Sequence, residues 1–176
     1  MSWRLHMALW PAYAEAGFEN WMRENNILLH HTQRHPPSAS AAAAELRIED
    51  LLAHWRRLGA HAHPWFTLTG HDLEYLACQE ESHECLWLGE ASLHLTKNTT
   101  HPGLGDREAV SPQDLVEGWA LRKPNGRDAL TLACGLASHL GPIVVHDADI
   151  EPVFLIAPGD APSDFAGTWP WTGALA

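Results

Sequence analysis

Histidine dominates the residues able to do chemistry, with 13 in a chain of 176. Neutral imidazole is a common metal ligand and titrates near physiological pH, so the count points to metal binding or to proton-linked behaviour. His61 and His63 are two apart, which on a strand puts both on one side. With His71 and His83 they make the candidate metal set, which Cys85 or Asp147 could complete, and zinc or another divalent transition metal would be its cofactor. His31 and His35 form an i, i+4 pair only if that stretch is helical. The chain has no H-E-x-x-H, H-x-H-x-D or zinc-ribbon spacing, and histidines scattered through core and surface are the simpler account.

Carboxylates gather at His146-Asp147-Ala148-Asp149-Ile150-Glu151. Oxygen ligands of this kind bind divalent ions, and paired carboxylates serve acid–base chemistry. A calcium loop would need a glycine and further ligands that are missing here, whereas a hairpin turn favours Asp for its bonds to nearby backbone. Turn chemistry is the better reading. Nucleophilic catalysis has no visible signature: there is no G-x-S-x-G, and Cys134 lies in the apolar run Ala-Cys-Gly-Leu-Ala, where cysteine acts as a small hydrophobe. Cys85 is the more exposed candidate. Gly103-Leu-Gly105 neither follows a strand nor opens a helix as a phosphate loop requires.

The elements that must position these residues read as α+β. Trp3, Leu5, Met7 and Leu9 alternate with more polar or smaller residues, which predicts a strand with one buried face. Pro11 suits a first helical turn, and Phe18, Trp21 and Met22 continue at helical spacing up to Asn25-Asn26. Residues 27–31 fit a short strand or a continuing helix. Residues 34–44, with Pro36-Pro37 and a Ser/Ala run, are linker-like in composition. Leu51, Leu52, Trp55 and Leu58 share one helical face that ends at Gly59.

From Pro64 to Thr96, four strands separated by reversals at Thr69-Gly70-His71, at 80–83 and at Gly89-Glu90 predict an antiparallel meander. Ser111-Pro112-Gln113-Asp114 carries the signals of a helix start, which predicts a short helix to about Leu121. Asp128 would cap another, with Leu132, Leu136 and Leu140 along its apolar row. Ile143-Val144-Val145 and Val153–Ile156 then make a hairpin, and the tail 158–176 reads as irregular. The expected architecture is a single α+β domain over 1–176, with a largely antiparallel sheet, central meander plus C-terminal hairpin, packed by helices on one side.

The net charge is -11, which argues against a nucleic-acid backbone as partner. Arg and carboxylates balance over residues 1–60, so the excess lies in the later part of the chain, and no Lys or Arg occurs between Arg57 and Lys97. Asp72, Glu74, Glu80, Glu81, Glu84 and Glu90 fall in that gap and are the candidate partner-binding residues. Nine tryptophans, spread from Trp3 to Trp171, suit core edges and contact surfaces. Three cysteines without a C-x-x-C pair give no disulfide framework, and no signal-peptide pattern opens the chain, so a cytoplasmic protein is expected.

These features lead to a non-catalytic acidic protein-binding domain that meets a basic partner, of which a bacterial immunity or inhibitor protein neutralising a cationic toxin is one instance. The alternatives are a histidine-rich metal-binding protein or metal-dependent hydrolase, and a homo-oligomeric assembly domain joined through tryptophan-bearing surface.

Overall fold

The alternation at the amino terminus becomes β1 (Arg4–Leu9), whose Leu5, Met7 and Leu9 are all buried on one face. In the computed structural model, which describes residues 4–15, 17–32, 45–70, 85–95, 108–147, 149 and 151–171, this strand lies at the centre of a seven-stranded sheet. Gly17, in the left-handed region at φ 73, splits the expected first helix into α1 (Trp10–Glu15) and α2 (Phe18–Glu24). Leu29–His30 forms the short edge strand β2. The linker-like segment 34–44 lies outside the described residues.

Helix α3 (Ile48–Arg57) carries the predicted face, with Ile48, Leu51, Leu52 and Trp55 buried. It leads into β3 (Ala60–Pro64) and β4 (Phe66–Leu68). The two strands expected on either side of Gly89-Glu90 are one long strand, β5 (Leu86–Leu95). Gly89 bulges rather than reverses: the pairing with β3 shifts register between His61 and His63, and at φ 68 Gly89 passes so near the strand Val116–Arg122 that a Cβ would lie 2.2 Å from the Arg122 carbonyl oxygen.

The helix expected from Ser111 is also corrected. Ser111 and Asp114 spend their side chains on local bonds, Asp114 Oδ2 accepting the Ser111 N–H at 2.8 Å and Ser111 Oγ the Gln113 N–H at 3.3 Å, and the result is a turn. After β6 (Glu108–Val110) and that turn comes β7 (Val116–Arg122), which pairs with both β1 and β5. Helix α4 (Gly126–Leu140) begins one turn earlier than Asp128 suggested, because Asn125 is the cap, accepting the Arg127 and Asp128 backbone N–H groups at 3.0 and 3.4 Å. Asp128 instead accepts the Trp87 N–H at 2.8 Å, which ties the helix to the start of β5.

The closing hairpin is β8 (Ile143–Asp147) with β9 (Val153–Ile156). The tail is less irregular than its composition implies. It contains a 3-10 turn at Pro162–Phe165, and Phe165 and Trp169 are buried, the Trp169 Nε1 donating to the Gly126 carbonyl at 3.0 Å.

Strand order is β2-β9-β8-β1-β7-β5-β3, with β4 and β6 as a separate parallel pair. Pairings from β9 through β5 are antiparallel, while β2 on β9 and β3 on β5 are parallel. The sheet is therefore mixed and is not the largely antiparallel meander that turn signals suggested. Neither parallel edge pair is joined by a tight turn: β2 and β9 lie far apart in sequence, and β4 with the segment 69–85 separates β3 from β5. Helices lie on both faces, not on one: α3 and α4 share the large core with Leu5, Met7, Trp119, Leu121, Ile143 and Val145, while α1 and α2 pack Trp10 and Met22 against Val144, Val153 and Leu155.

Candidate functional site

Because side chains alternate along a strand, the residues of β1, β8, β7 and β5 that face away from the large core meet on the opposite face. His6 stands opposite His146 on β8 and Ala120 on β7, and Ala120 stands opposite Ser92 on β5. His94 is two residues further along β5. Three imidazoles are thus gathered: the rings of His6 and His146 stack at 5.2 Å and 11°, and His6 and His94 lie 5.6 Å apart and tilted. Tyr13 from α1 reaches down to the cluster, its hydroxyl 2.9 Å from His146 Nε2.

The hydrogen bonds define the state of His146. Its Nδ1 lies 2.6 Å from the backbone oxygen of Asp147, which can only accept, so Nδ1 carries the proton and Nε2 accepts from the Tyr13 hydroxyl. At 8% exposure, His146 is the buried polar residue among those described, and both its ring nitrogens have partners. Burial keeps it neutral, lowering its pKa against the opposing pull of the Asp147 backbone bond and carboxylate. His6 is pushed down to about 4, first by burial, then by the imidazoles of His146 and His94 and by Arg4. Burial raises the Tyr13 phenol. At neutral pH the cluster carries no charge of its own from His6, His146 or Tyr13.

Beside the cluster a cleft of about 580 Å³ opens over β1 and β7, bounded by Phe18 and Trp21 of α2. Small residues create the space: Ala8, Ala12 and Gly118 line it, and Gly118 lies so close to β1 that a Cβ would stand 2.5 Å from the Met7 carbonyl oxygen. Phe18 and Trp21 stack at 5.6 Å and 16°, and Trp21 is 38% exposed. Glu117 reaches the cleft through an irregularity in β7. The pairing with β5 steps from His94↔Gly118 to Leu95↔Val116, so Val116 stays in the core and the skipped Glu117 is exposed. Among the described residues lining the cleft, Glu117 is the one that brings a full charge. Further along this face Arg122 pairs with Glu90 at 2.8 Å.

The residues singled out in the sequence fall elsewhere. His61 and His63 do share a side, both packing on the Trp87 ring, at 5.0 and 5.1 Å. His71 and His83 lie outside the described residues, as do Asp72, Glu74, Glu80, Glu81 and Glu84. Among the described residues no group of three or more His, Cys, Asp or Glu is arranged to hold a metal ion. Asp147 behaves as a turn residue, its Oδ1 accepting the Asp149 N–H at 2.8 Å. Cys85 is half-buried, and the Cys134 thiol is pushed up to about 12, mainly by burial and then by Asp160 and Asp164. Among the described residues no helix is long and apolar enough to cross a membrane.

Comparison with protein-family models, with curated proteins and with solved structures gives no match.

Proposed function

We propose that this chain is a non-catalytic acidic protein-binding domain whose partner is basic, and that the histidine–aromatic cleft belongs to its binding face. The observation that carries the reading is the cleft itself. An apolar hollow with stacked aromatic rings on one wall and the Glu117 carboxylate at its rim is suited to receive a partly apolar, positively charged group. The net charge of -11 supports the same sign of partner, since complementary charge speeds encounter and rejects wrong partners. An immunity or inhibitor protein that neutralises a cationic nuclease is the concrete instance that this size and charge fit, because a nuclease must itself be basic to hold nucleic acid.

The test is affinity capture with the wild-type chain and, in parallel, with the Trp21→Ala/Glu117→Lys double variant, followed by titration with the purified captured protein. The reading expects a basic protein, bound at least about tenfold more weakly by the variant, which is roughly 1.4 kcal/mol. Capture of acidic partners alone, or equal affinity for wild type and variant, would count against it.

A further inference from the structure

On the reading that this face binds a basic partner, we infer that the cleft receives an arginine side chain, laid along the Phe18–Trp21 wall with its guanidinium directed to Glu117. Three features select arginine over other groups. The wall is a pair of stacked rings, one of them substantially exposed, and a planar, weakly hydrated guanidinium stacks on aromatic faces better than a compact, strongly hydrated ammonium.

The second feature is the placement of charge. Glu117 is turned to the cleft by the slip in register beside His94, whereas Arg122, on the same strand, is held by Glu90. A cation entering here meets a carboxylate at the rim of an apolar hollow, and an anion would be repelled. Third, His6 and His146 in the imidazole cluster beneath are neutral at neutral pH and do not oppose a cation; the groups facing His6 are His146, His94 and the cationic Arg4, which is not among the residues lining the cleft, and the Tyr13 hydroxyl is bonded to His146. A neutral imidazole also keeps one lone pair able to accept a guanidinium N–H. His146 spends that lone pair on Tyr13, whereas His6 lines the cleft and is held neutral, so it can offer one. The volume of about 580 Å³ is within the range of ligand pockets and holds a long side chain with part of its backbone.

The experiment is an NMR titration of the full chain at low salt with three blocked tripeptides, Gly-Arg-Gly, Gly-Lys-Gly and Gly-norleucine-Gly. Expected are saturable shifts at the Trp21 indole, Tyr13 and Gly118 with the arginine peptide, about threefold or more weaker binding of the lysine peptide, and no saturation with norleucine. Glu117→Gln, an exposed position, should weaken the arginine peptide about threefold to tenfold at low salt, and Trp21→Ala should remove its saturable shifts. Amide dispersion in the same spectra shows that each variant is folded. Equal binding of arginine and norleucine peptides, or shifts centred elsewhere, would overturn the inference. If a basic partner protein still loses affinity through Trp21→Ala/Glu117→Lys while the arginine peptide leaves the cleft unmoved, the arginine assignment falls and the protein-binding reading stands. If neither binds, both fall.

Discussion

At the scale of single residues, the hydrogen bond from Tyr13 to His146 Nε2 is the polar contact on which the cluster depends. Tyr13→Phe keeps the ring, including its edge contact with Phe18 at 4.6 Å, but leaves a buried imidazole acceptor without a donor. The expected loss is about 1–3 kcal/mol, the cost of an unsatisfied buried acceptor, read by urea denaturation. A loss under about 0.3 kcal/mol would mean that water replaces the hydroxyl and that the site is wetter than its burial implies. His6 gives a second prediction, in pH. Its pKa falls from 6.5 to about 4 on folding, so between these values the unfolded chain binds the extra proton. Stability is therefore fully present above about pH 6.5 and declines as pH falls toward 4, and the lowered pKa of His146 acts in the same direction. His6→Gln should flatten that part of the stability–pH curve, and an unchanged slope would assign the effect to other groups.

Among the elements, α3 shows what periodicity alone can deliver and β7 shows where it fails. Leu51, Leu52 and Trp55 repeat at helical spacing over enough turns to be unambiguous, and the structure buries all three. Leu52→Ala, at a position 1% exposed, should cost about 2–5 kcal/mol by leaving a cavity, and a chemical-denaturation midpoint close to wild type would contradict that packing. In Val116–Arg122 the same kinds of residue serve a strand: Trp119 and Leu121 face the core, while Gly118 and Ala120 make the other face. The misleading signal was Ser111-Pro112-Gln113-Asp114, because Ser and Asp cap helices and close turns by the same local bonds, and only the neighbouring strands decide between the two. Gly118→Ala tests the strand's role. A Cβ there would meet backbone of β1, so the sheet must shift, and we expect a loss of about 1–3 kcal/mol together with a changed cleft. The cleft was less legible still. His6, His94 and His146 come from three strands far apart in sequence, and no spacing along the chain records that β1 lies between β7 and β8. The one local clue was the alternation of β1, which already sets His6 on the face opposite Leu5 and Met7.

Across the whole molecule, the excess of eleven negative charges and the 13 histidines make opposed predictions about pH that salt can separate. An imidazole in water gains a proton near pH 6.5, so acidification from pH 8 to pH 6 offsets part of the negative excess and weakens long-range attraction to a basic partner. The cleft resists that change, since His6 stays neutral until about pH 4 and the pKa of His146 is lowered as well. Contacts inside the cleft should therefore survive at pH 6 while encounter slows, and the affinity lost should appear mainly in the association rate. Raising ionic strength at pH 8 should reproduce the effect, because screening acts on the same long-range term. The acidic segment is tested by changing Glu80, Glu81 and Glu84 together to Gln, which should slow association and reduce its salt dependence while leaving dissociation nearly unchanged. A metal-dependent site built on His61 and His63 would behave differently. Protons would compete with the metal for imidazole, chelator would abolish binding at pH 8, added metal would restore it, and salt would have little influence. Association and dissociation rates of the purified partner, measured at pH 6 and pH 8 across a salt series with and without chelator, decide between them. Rates indifferent to salt but collapsing with chelator would end the electrostatic account and establish the metal one.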